Sequence, residues 1–393
     1  MDSNLPTALF SANSTSNVEE SNEEKLAAVA NAVGGAQWEP QDLECLAHCP
    51  SCGALQSTIV LHENLRDHIF FAKGSSWRLV LCKHCTGAFL NPRPTPQAIG
   101  RAYANYYTHD AQGSGTKQPT IGSWVRRALA NGYRNQIYAT TLSPSLGFVG
   151  PAVARFSRTF RNAIQNEAPG LFDVRPSKMG ESLILDVGCG SGLLLARARD
   201  AGWRVMGIEP DDSAAAAAAS RGVEIVASRL EDLPSSFNAT FERITLSHVI
   251  EHVHEPLAML QRCKELLHPK GVLWLETPNI GSAGHDEFGA DWRGLEPPRH
   301  LVLFSARAIT DLLRKAGFAV VEFSAPRDVW SYMCEKSELI RQRRQDSTIG
   351  SSSPTVHQQP NGQQTPEHRA AEIRRLVADQ PHKSEFLTLT ARC

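Results

Sequence analysis

From Ser182 onward, short β-rich apolar segments alternate with helix-forming segments, several of which end in glycine. The series begins with LILDVGCG, LLLARARDAG, RVMGIEP and SAAAAAASRG, and it continues through VLWLETP and SARAITDLLRKAG to FAVVEFSAP. Such alternation is typical of repeated βα units around a mostly parallel sheet. The C-terminal EFLTLTARC reads as one more strand, so we expect the tail to return and close the sheet rather than form a new domain.

Three glycines stand directly after the first of these strands and just before a helix: Gly188, Gly190 and Gly192. Glycine allows a sharp turn and a close backbone approach to a ligand, and the helix N-terminus offers free N–H groups to a carboxylate or phosphate. Glu209 ends the next strand, about 20 residues on, where a carboxylate can bind ribose hydroxyls. The dinucleotide fingerprint G-x-G-x-x-G would need a glycine at Leu193, whereas the spacing here is G-x-G-x-G with Asp186 two residues ahead.

The motifs LDVGCGSG, GIEP and LEDLP occur in that order, and with them the chain resembles the class I S-adenosylmethionine-dependent methyltransferases over roughly 180–326. The resemblance implies a Rossmann-like, doubly wound, mostly parallel seven-stranded sheet with an antiparallel final strand, and S-adenosylmethionine as the cofactor. It implies that Asp186, Gly188 and Gly190 line the methionine end of the cofactor and that Glu209 holds its ribose. The residues expected at the cofactor are Asp186, Gly188, Cys189, Gly190, Gly192, Glu209, Pro210, Leu230, Glu231 and Ser247.

The adenine end departs from the family pattern. Arg229 stands where the family often has an acidic residue that contacts adenine, and the nearest carboxylates are Glu231 and Asp232. We therefore expect the adenine contact to come mostly from the backbone near Leu230. Cys189 is expected to fill space rather than act as a nucleophile, because methyl transfer from a sulfonium needs no enzyme nucleophile.

Two C-x2-C pairs near the N-terminus, CPSCG and CKHC, can bring four thiolates to one tetrahedral ion. The spacing predicts a structural zinc ribbon held by Cys49, Cys52, Cys82 and Cys85. Cys45 and His48 lie close enough to leave the ligand set open. The uneven scatter of the nine cysteines is unlike a disulfide framework and fits a reducing cytoplasm. With LNPRPTP and AYANYY behind it, the ribbon also looks like the N-terminal module of many bacterial methyltransferases acting on small molecules and sugars.

The stretch LSHVIEHVHEP marks the end of the fourth strand, beside the end of the first, where ligands bind in such sheets. Its polar residues and one distant histidine are the candidates for chemistry: His248, Glu251, His252, His254 and His300. His248, His252 and His300 are the candidate catalytic residues, since a neutral histidine can take a proton from an acceptor hydroxyl.

Two other interpretations of this stretch stay open. The spacing of Glu251 and His252, together with His300, is similar to that in metal-assisted methyltransferases of the small-RNA and ubiquinone types. In those enzymes a Glu-x-x-Glu-His sequence and a distant histidine hold an ion. His248 replaces the first glutamate of that sequence. Alternatively, Glu251 and His252 only hydrogen-bond the turn and shape the pocket.

The expected organisation has four parts: a disordered tail at 1–40, the zinc-ribbon-like module at 41–92, a helical connecting region on the substrate side at 93–178, and the methyltransferase domain at 179–393. That domain carries a polar insertion at about 340–382, within which 346–368 is expected to be disordered.

The sequence predicts an enzyme that transfers a methyl group from S-adenosylmethionine to a small molecule, first of all at oxygen. Alternatives are a C-methyltransferase acting on a sugar or natural product, a protein or RNA methyltransferase, and a non-catalytic adaptor that senses the cofactor. With 40 basic and 41 acidic residues, no global charge recruits nucleic acid or anionic membrane. The arginines of 126–161 are interpreted as a solvated helix face. No apolar stretch is long enough to span a membrane, and the N-terminus lacks a signal-peptide pattern.

Overall fold

The computed structural model describes residues 38–55, 58–70, 76–104, 120–138, 140–157, 160–161, 163–164, 176–349 and 366–393. Most of the tail predicted to be disordered, and the middle of the polar insertion at 350–365, lie outside these residues. At the two ends of the stretch 346–368 the expectation of disorder is wrong, because 346–349 and 366–368 are helical.

The strands and helices of the described residues are numbered in chain order. The strands are β1 (Leu43–Glu44), β2 (Thr58–Leu65), β3 (Trp77–Cys82), β4 (Ala88–Leu90), β5 (Arg93–Pro94), β6 (Leu183–Val187), β7 (Arg204–Ile208), β8 (Glu224–Ala227), β9 (Phe241–Ser247), β10 (Leu267–Pro278), β11 (Val302–Leu303), β12 (Val320–Phe323) and β13 (Phe386–Arg392). The helices are α1 (Ile121–Tyr138), α2 (Val149–Phe156), α3 (Leu193–Asp200), α4 (Asp212–Ser220), α5 (Pro256–Leu266), α6 (Ala283–Phe288), α7 (Ala306–Lys315), α8 (Trp330–Ile349) and α9 (Pro366–Asp379).

Several helices begin at residues that satisfy the free N–H groups of a first turn. The Asp211 side chain accepts a hydrogen bond from the Ala214 N–H at the start of α4, and Ser305 caps α7 through the Ala308 N–H. Proline opens α5, where its missing N–H costs nothing. None of the helices in the described ranges is long and apolar enough to cross a membrane.

The central sheet has the strand order β12-β13-β10-β9-β6-β7-β8. Strands β8, β7, β6, β9 and β10 run parallel, and β13 is antiparallel to both of its neighbours, β10 and β12. This confirms the predicted mostly parallel seven-stranded sheet with an antiparallel final strand. The strand order reverses between β6 and β9, so a crevice opens at the carboxyl ends of these two strands, where ligands bind in sheets of this kind.

The cysteine-bearing segment forms a second, antiparallel sheet with the order β11-β4-β3-β2. Its outer strand, β11, comes from more than 200 residues further along the chain, and it pairs Val302 with Phe89 and Leu303 with Ala88. Phe89 shares one buried apolar cluster with Leu246 of β9 and Ile309 of α7. The cysteine-bearing sheet is therefore joined to the central sheet by hydrogen bonds and by a common core.

Candidate functional site

The glycine loop after β6 has one open side. Gly188, Gly190 and Gly192 all have positive φ, at +70°, +53° and +75°, a backbone region that suits glycine. A Cβ on Gly188 would lie 2.8 Å from Val249 Cγ2, and one on Gly192 would lie 2.9 Å from Ala218 Cβ. Nothing lies within 4 Å of the Cβ position on Gly190. A ligand can therefore approach the backbone closely at the middle glycine.

Glu209 follows β7 and turns its carboxylate back onto this loop. Its Oε2 accepts a hydrogen bond from the Gly190 N–H at 2.8 Å, and its Oε1 accepts one from the Asp211 N–H at 3.0 Å. The residue is only 9% exposed. Each carboxylate oxygen keeps a second lone pair, so this fixed carboxylate can accept further hydrogen bonds from ligand hydroxyls.

Asp186 lies within β6 and is almost fully buried at 4% exposure. Burial raises the pKa of its carboxyl to about 7, and the negative charge of Glu209 adds to this, although a hydrogen bond from Thr245 Oγ1 at 2.5 Å opposes it. Two neighbouring buried carboxylates make the crevice favourable for a cation.

The remaining residues expected at the cofactor lie around the same edge of the sheet. Leu230 is buried in a 3-10 turn at Leu230–Asp232, just after β8, whereas Arg229 and Glu231 are exposed. Ser247 ends β9 and is half-buried. Burial raises the pKa of the Cys189 thiol to about 12, so this group stays neutral and is a poor nucleophile.

His248 lies between two carboxylates at the end of β9. Its backbone has φ +54°, its Nδ1 lies 3.3 Å from Glu251 Oε1, and its Nε2 lies 3.3 Å from Glu276 Oε1. Burial lowers the pKa of His248, but the hydrogen bonds and charges of Glu251 and Glu276 outweigh it and raise the pKa to about 10. An imidazolium with both N–H groups facing carboxylates has no lone pair for a proton. The geometry therefore suits charge compensation better than the predicted role as a base.

His252 presents the opposite arrangement. Its Nδ1 lies 3.0 Å from the Arg299 carbonyl oxygen and 3.0 Å from the Tyr103 hydroxyl. A carbonyl oxygen only accepts, so Nδ1 carries the proton, and in the neutral ring Nε2 keeps its lone pair.

His300 is oriented in the same way from a different loop. Its Nδ1 donates to the Gly294 carbonyl oxygen at 2.8 Å, and its ring centroid lies 4.8 Å from that of His252. Burial lowers the pKa of His300 to about 4, against the charge of Glu296, so the ring is neutral and Nε2 has a free lone pair.

Glu251 completes this group, which we call the Glu-His-His cluster: Glu251, His252 and His300. Glu251 is fully buried, and its Oε2 accepts a hydrogen bond from Thr277 Oγ1 at 3.0 Å. Burial raises the pKa of Glu251, but the hydrogen bond from His248 and the charges of the neighbouring histidines outweigh burial and lower the pKa to about 2. The carboxylate is therefore ionised. One ligand atom from each member lies within 4.8 Å of the others. Two imidazole nitrogens and one carboxylate oxygen are a common ligand set for a divalent ion.

The other residues of the stretch face away from the cluster. His254 Nε2 lies 2.9 Å from the Pro94 carbonyl oxygen, and Glu255 is exposed. Sequence reasoning missed Tyr103 and Glu276, which contact His252 and His248 respectively. Glu276 left a signal, because it is the one charged residue in the apolar strand VLWLETP. Tyr103 left none beyond its place in AYANYY.

The four cysteines of the two C-x2-C pairs come together in the cysteine-bearing sheet. The Sγ atoms of Cys49 and Cys85 are 3.7 Å apart, as are those of Cys52 and Cys82, and all four lie within 4.8 Å of one another. Cys45 and His48 are exposed and do not belong to this group. A hydrogen bond from Cys49 lowers the pKa of Cys85 to about 5, against the effect of burial. This arrangement has the donors and spacing of a closed four-thiolate zinc site.

The cysteine-bearing sheet is also connected to the Glu-His-His cluster. The Leu90 N–H donates to the Leu301 carbonyl oxygen at 3.1 Å, and the Leu301 N–H donates to the Glu251 carbonyl oxygen at 2.8 Å. Arg299 forms a buried ion pair with Asp67 at 2.9 Å. The loop that carries His300 is thus held between the two sheets.

Comparisons with known proteins find similarity to methyltransferases. A family model described as a methyltransferase domain matches residues 154–323. A ubiquinone biosynthesis O-methyltransferase of Haemophilus ducreyi is 38% identical over 188 residues, which cover 45% of this chain and 70% of that protein. One of Actinobacillus pleuropneumoniae serotype 7 is 38% identical over 186 residues, with the same coverage. A solved methyltransferase from Thermotoga maritima aligns over 67% of this chain and 99% of its own, at 17% identity and a TM-score of 0.37.

Proposed function

The chain belongs to the class I S-adenosylmethionine-dependent methyltransferases, and we propose that it methylates a hydroxyl oxygen of a small molecule. The acceptor hydroxyl would lie beside the Glu-His-His cluster. The observation that carries the proposal is the pair His252 and His300: each bonds a carbonyl oxygen through Nδ1, and each places a ring nitrogen within 4.8 Å of a Glu251 carboxylate oxygen, at the carboxyl edge of β9. The curated relatives named O-methyltransferases support the choice of oxygen.

The crevice fits the cofactor in shape and charge. Gly190 leaves room for a ligand against the backbone, and Glu209 offers lone pairs to two ribose hydroxyls. Asp186 favours the cationic end of S-adenosylmethionine, and Leu230 supplies an apolar contact for adenine. The cofactor supplies an electrophilic methyl group on positively charged sulfur.

The cluster has to remove the proton of the acceptor hydroxyl as its oxygen bonds to the methyl carbon. Nε2 of His252 or of His300 can take that proton, and the carbonyl oxygens of Arg299 and Gly294 stabilise the ring that receives it through Nδ1–H. The same three side chains fit a divalent ion, because each histidine donates its other N–H to a carbonyl, as metal-ligating histidines usually do. An ion held there would lower the pKa of an acceptor hydroxyl.

We assign the other metal site to zinc. Cys49, Cys52, Cys82 and Cys85 would hold it with no position left for substrate, so its role is to stabilise the cysteine-bearing sheet. None of the nine cysteines forms a disulfide, which suits a reducing compartment such as the cytoplasm.

The acceptor class is tested by incubating the protein with S-adenosylmethionine labelled in its methyl group and a cell extract fractionated into small molecules, lipids, proteins and RNA. We expect label in the small-molecule fraction, and none there with Glu209→Ala protein. Label confined to protein or RNA would contradict the proposal, and a lack of transfer together with normal cofactor binding would favour an adaptor.

Glu209→Ala is expected to weaken S-adenosylmethionine binding by about 100-fold or more, because two hydrogen bonds from ribose to a carboxylate are lost. Isothermal titration calorimetry measures the affinity directly. Glu224→Ala removes the same charge from an exposed position on β8 and is expected to bind as the wild type does. A loss below about threefold for Glu209→Ala would show that Glu209 does not hold the ribose.

Cofactor affinity is expected to depend on the ionisation of Asp186. The pKa of this carboxyl is raised to about 7 in the free protein, and a bound cation would lower it. Binding then releases a proton near neutral pH, so affinity rises with pH up to about 7 and falls as the pH drops below it, by up to about tenfold per unit. Calorimetric titrations across this pH range measure the slope. Asp186→Asn is expected to abolish it, and an unchanged slope in that variant would contradict the assignment.

A further inference from the structure

A cavity of about 750 Å³ lies between the helical connecting region and the outer side of α3. One face of α1 lines it, with residues spaced three or four apart: Ser123, Arg126, Arg127, Ala130, Asn131 and Arg134. The opposite wall includes Arg197 and Asp200 of α3 and the loop around Leu142. None of the glycine-loop residues lines it. Arg197 stands five residues beyond Gly192 along α3, a rise of about 7 Å, so the cavity is separate from the cofactor crevice.

The lining of this cavity is strongly basic. Four arginines converge on it from two helices: Arg126, Arg127, Arg134 and Arg197. Among its described lining residues, Asp200 is the single carboxylate. Guanidinium groups present forked N–H donors that match phosphate oxygens, and several of them on one cavity bind a phosphate more tightly than isolated cations do.

Hydrogen bonds fix the walls of the cavity in place. Arg134 is buried, and it donates to the Ile164 carbonyl oxygen at 3.3 Å. Asn131 Nδ2 donates to the Pro144 carbonyl oxygen at 2.9 Å, and Asn135 Oδ1 accepts from the Leu142 N–H at 2.8 Å. These bonds tie α1 to the loop that forms the facing wall. Arg134 is therefore part of a fixed wall, whereas Arg126 and Arg127 are exposed, as the interpretation of a solvated helix face expects, and border the cavity.

We propose that this cavity binds a small organic phosphate or diphosphate. Its charged group is held by Arg126, Arg127 and Arg197, and its organic part packs against Leu142 and Phe160. The space is bounded by two helices and the loop around Leu142, which suits a compact ligand. A nucleic acid strand would instead need an extended basic groove with aromatic side chains spaced along it. Phosphate binding in this cavity does not depend on the identity of the methyl acceptor, so it can be tested separately from the proposed function.

The test is calorimetric titration of the full-length protein with inorganic diphosphate in the presence of S-adenosylhomocysteine, which keeps the cofactor crevice occupied. We expect saturable binding in wild type and a loss of affinity of about tenfold or more in Arg126→Ala/Arg127→Ala, since each guanidinium–phosphate contact is charge-assisted. Both arginines are exposed, so the double variant is expected to fold, and unchanged S-adenosylhomocysteine affinity checks this.

The matched control is Arg307→Ala/Arg314→Ala on α7, which removes two exposed positive charges away from the cavity. It is expected to bind diphosphate as wild type does. Three results would overturn the proposal: no saturable binding, an equal loss in both double variants, or a single-stranded oligonucleotide that binds more tightly than diphosphate and depends on the same arginines.

Discussion

His300→Ala is expected to lower the turnover number by about 100- to 10,000-fold, the usual contribution of a positioned proton acceptor. The loss follows from geometry, because His300 is buried, neutral and fixed by its Nδ1–H bond to Gly294, with a ring nitrogen within 4.8 Å of ligand atoms of Glu251 and His252. S-adenosylhomocysteine affinity is expected to stay unchanged, since His300 does not line the glycine loop. Steady-state kinetics and calorimetry on the same protein measure both quantities.

His268→Ala is the matched control, because His268 is an exposed histidine at the start of β10 and is expected to have no effect. If His300→Ala kept its turnover number within about threefold of wild type, His300 would only shape the pocket.

The metal content of the protein distinguishes the two roles proposed for the Glu-His-His cluster, which are binding of a divalent ion and proton removal without an ion. If Glu251, His252 and His300 hold an ion, the wild-type protein binds two ions per chain and His300→Ala binds one, the zinc of the cysteine site. If His300 acts as a base without an ion, both proteins bind one ion and the turnover loss remains. Plasma mass spectrometry of dialysed protein gives the count.

Cys82→Ser is expected to remove the zinc and loosen the cysteine-bearing sheet, because structural zinc contributes about 10–16 kcal/mol to small modules of this kind. Turnover is expected to fall by about 100-fold as well, since a displacement of about 1 Å can cost that much. The connection runs through β4, whose Leu90 donates to Leu301, next to His300. Zinc content, hydrogen exchange of β3 and β4, and turnover measure the three effects.

Cys45→Ser controls for the loss of a thiol, since Cys45 is exposed and outside the four-cysteine group. It is expected to match wild type in all three measurements. Full zinc content in Cys82→Ser, or zinc loss in Cys45→Ser, would contradict the assigned ligand set.

Local patterns in the sequence predicted the parts of the fold that depend on local physics. The alternation of β and helical segments from Ser182 predicted the central sheet, and the doubled C-x2-C spacing predicted which four cysteines would meet. The glycine loop at Gly188–Gly192 and the carboxylate at Glu209 lie at the end of two adjacent strands, so their contact follows from strand order.

Contacts between segments that are far apart in the sequence could not be predicted from local patterns. The role of His248 depends on Glu276, which reaches it only because β9 and β10 pair side by side. Tyr103 contacts His252 across 149 residues of sequence, and β11 joins β4 from an even more distant part of the chain. Of the α1 arginines interpreted as a solvated face, Arg126 and Arg127 are exposed, but Arg134 is buried because its guanidinium bonds to the Ile164 carbonyl oxygen, a contact that the sequence does not show. In each case the decisive partner is set by tertiary packing rather than by spacing.

Transfer of the methyl group to a hydroxyl oxygen beside the Glu-His-His cluster can be observed in the product itself. The most direct measurement is carbon NMR of the product formed from S-adenosylmethionine labelled with ¹³C in its methyl group, with wild type and Glu251→Gln compared. We expect a single labelled methyl in the chemical-shift range of a methyl ether, and we expect it to form at least about 100-fold more slowly with Glu251→Gln. A labelled methyl bonded to carbon, or an equal rate with Glu251→Gln, would contradict this expectation.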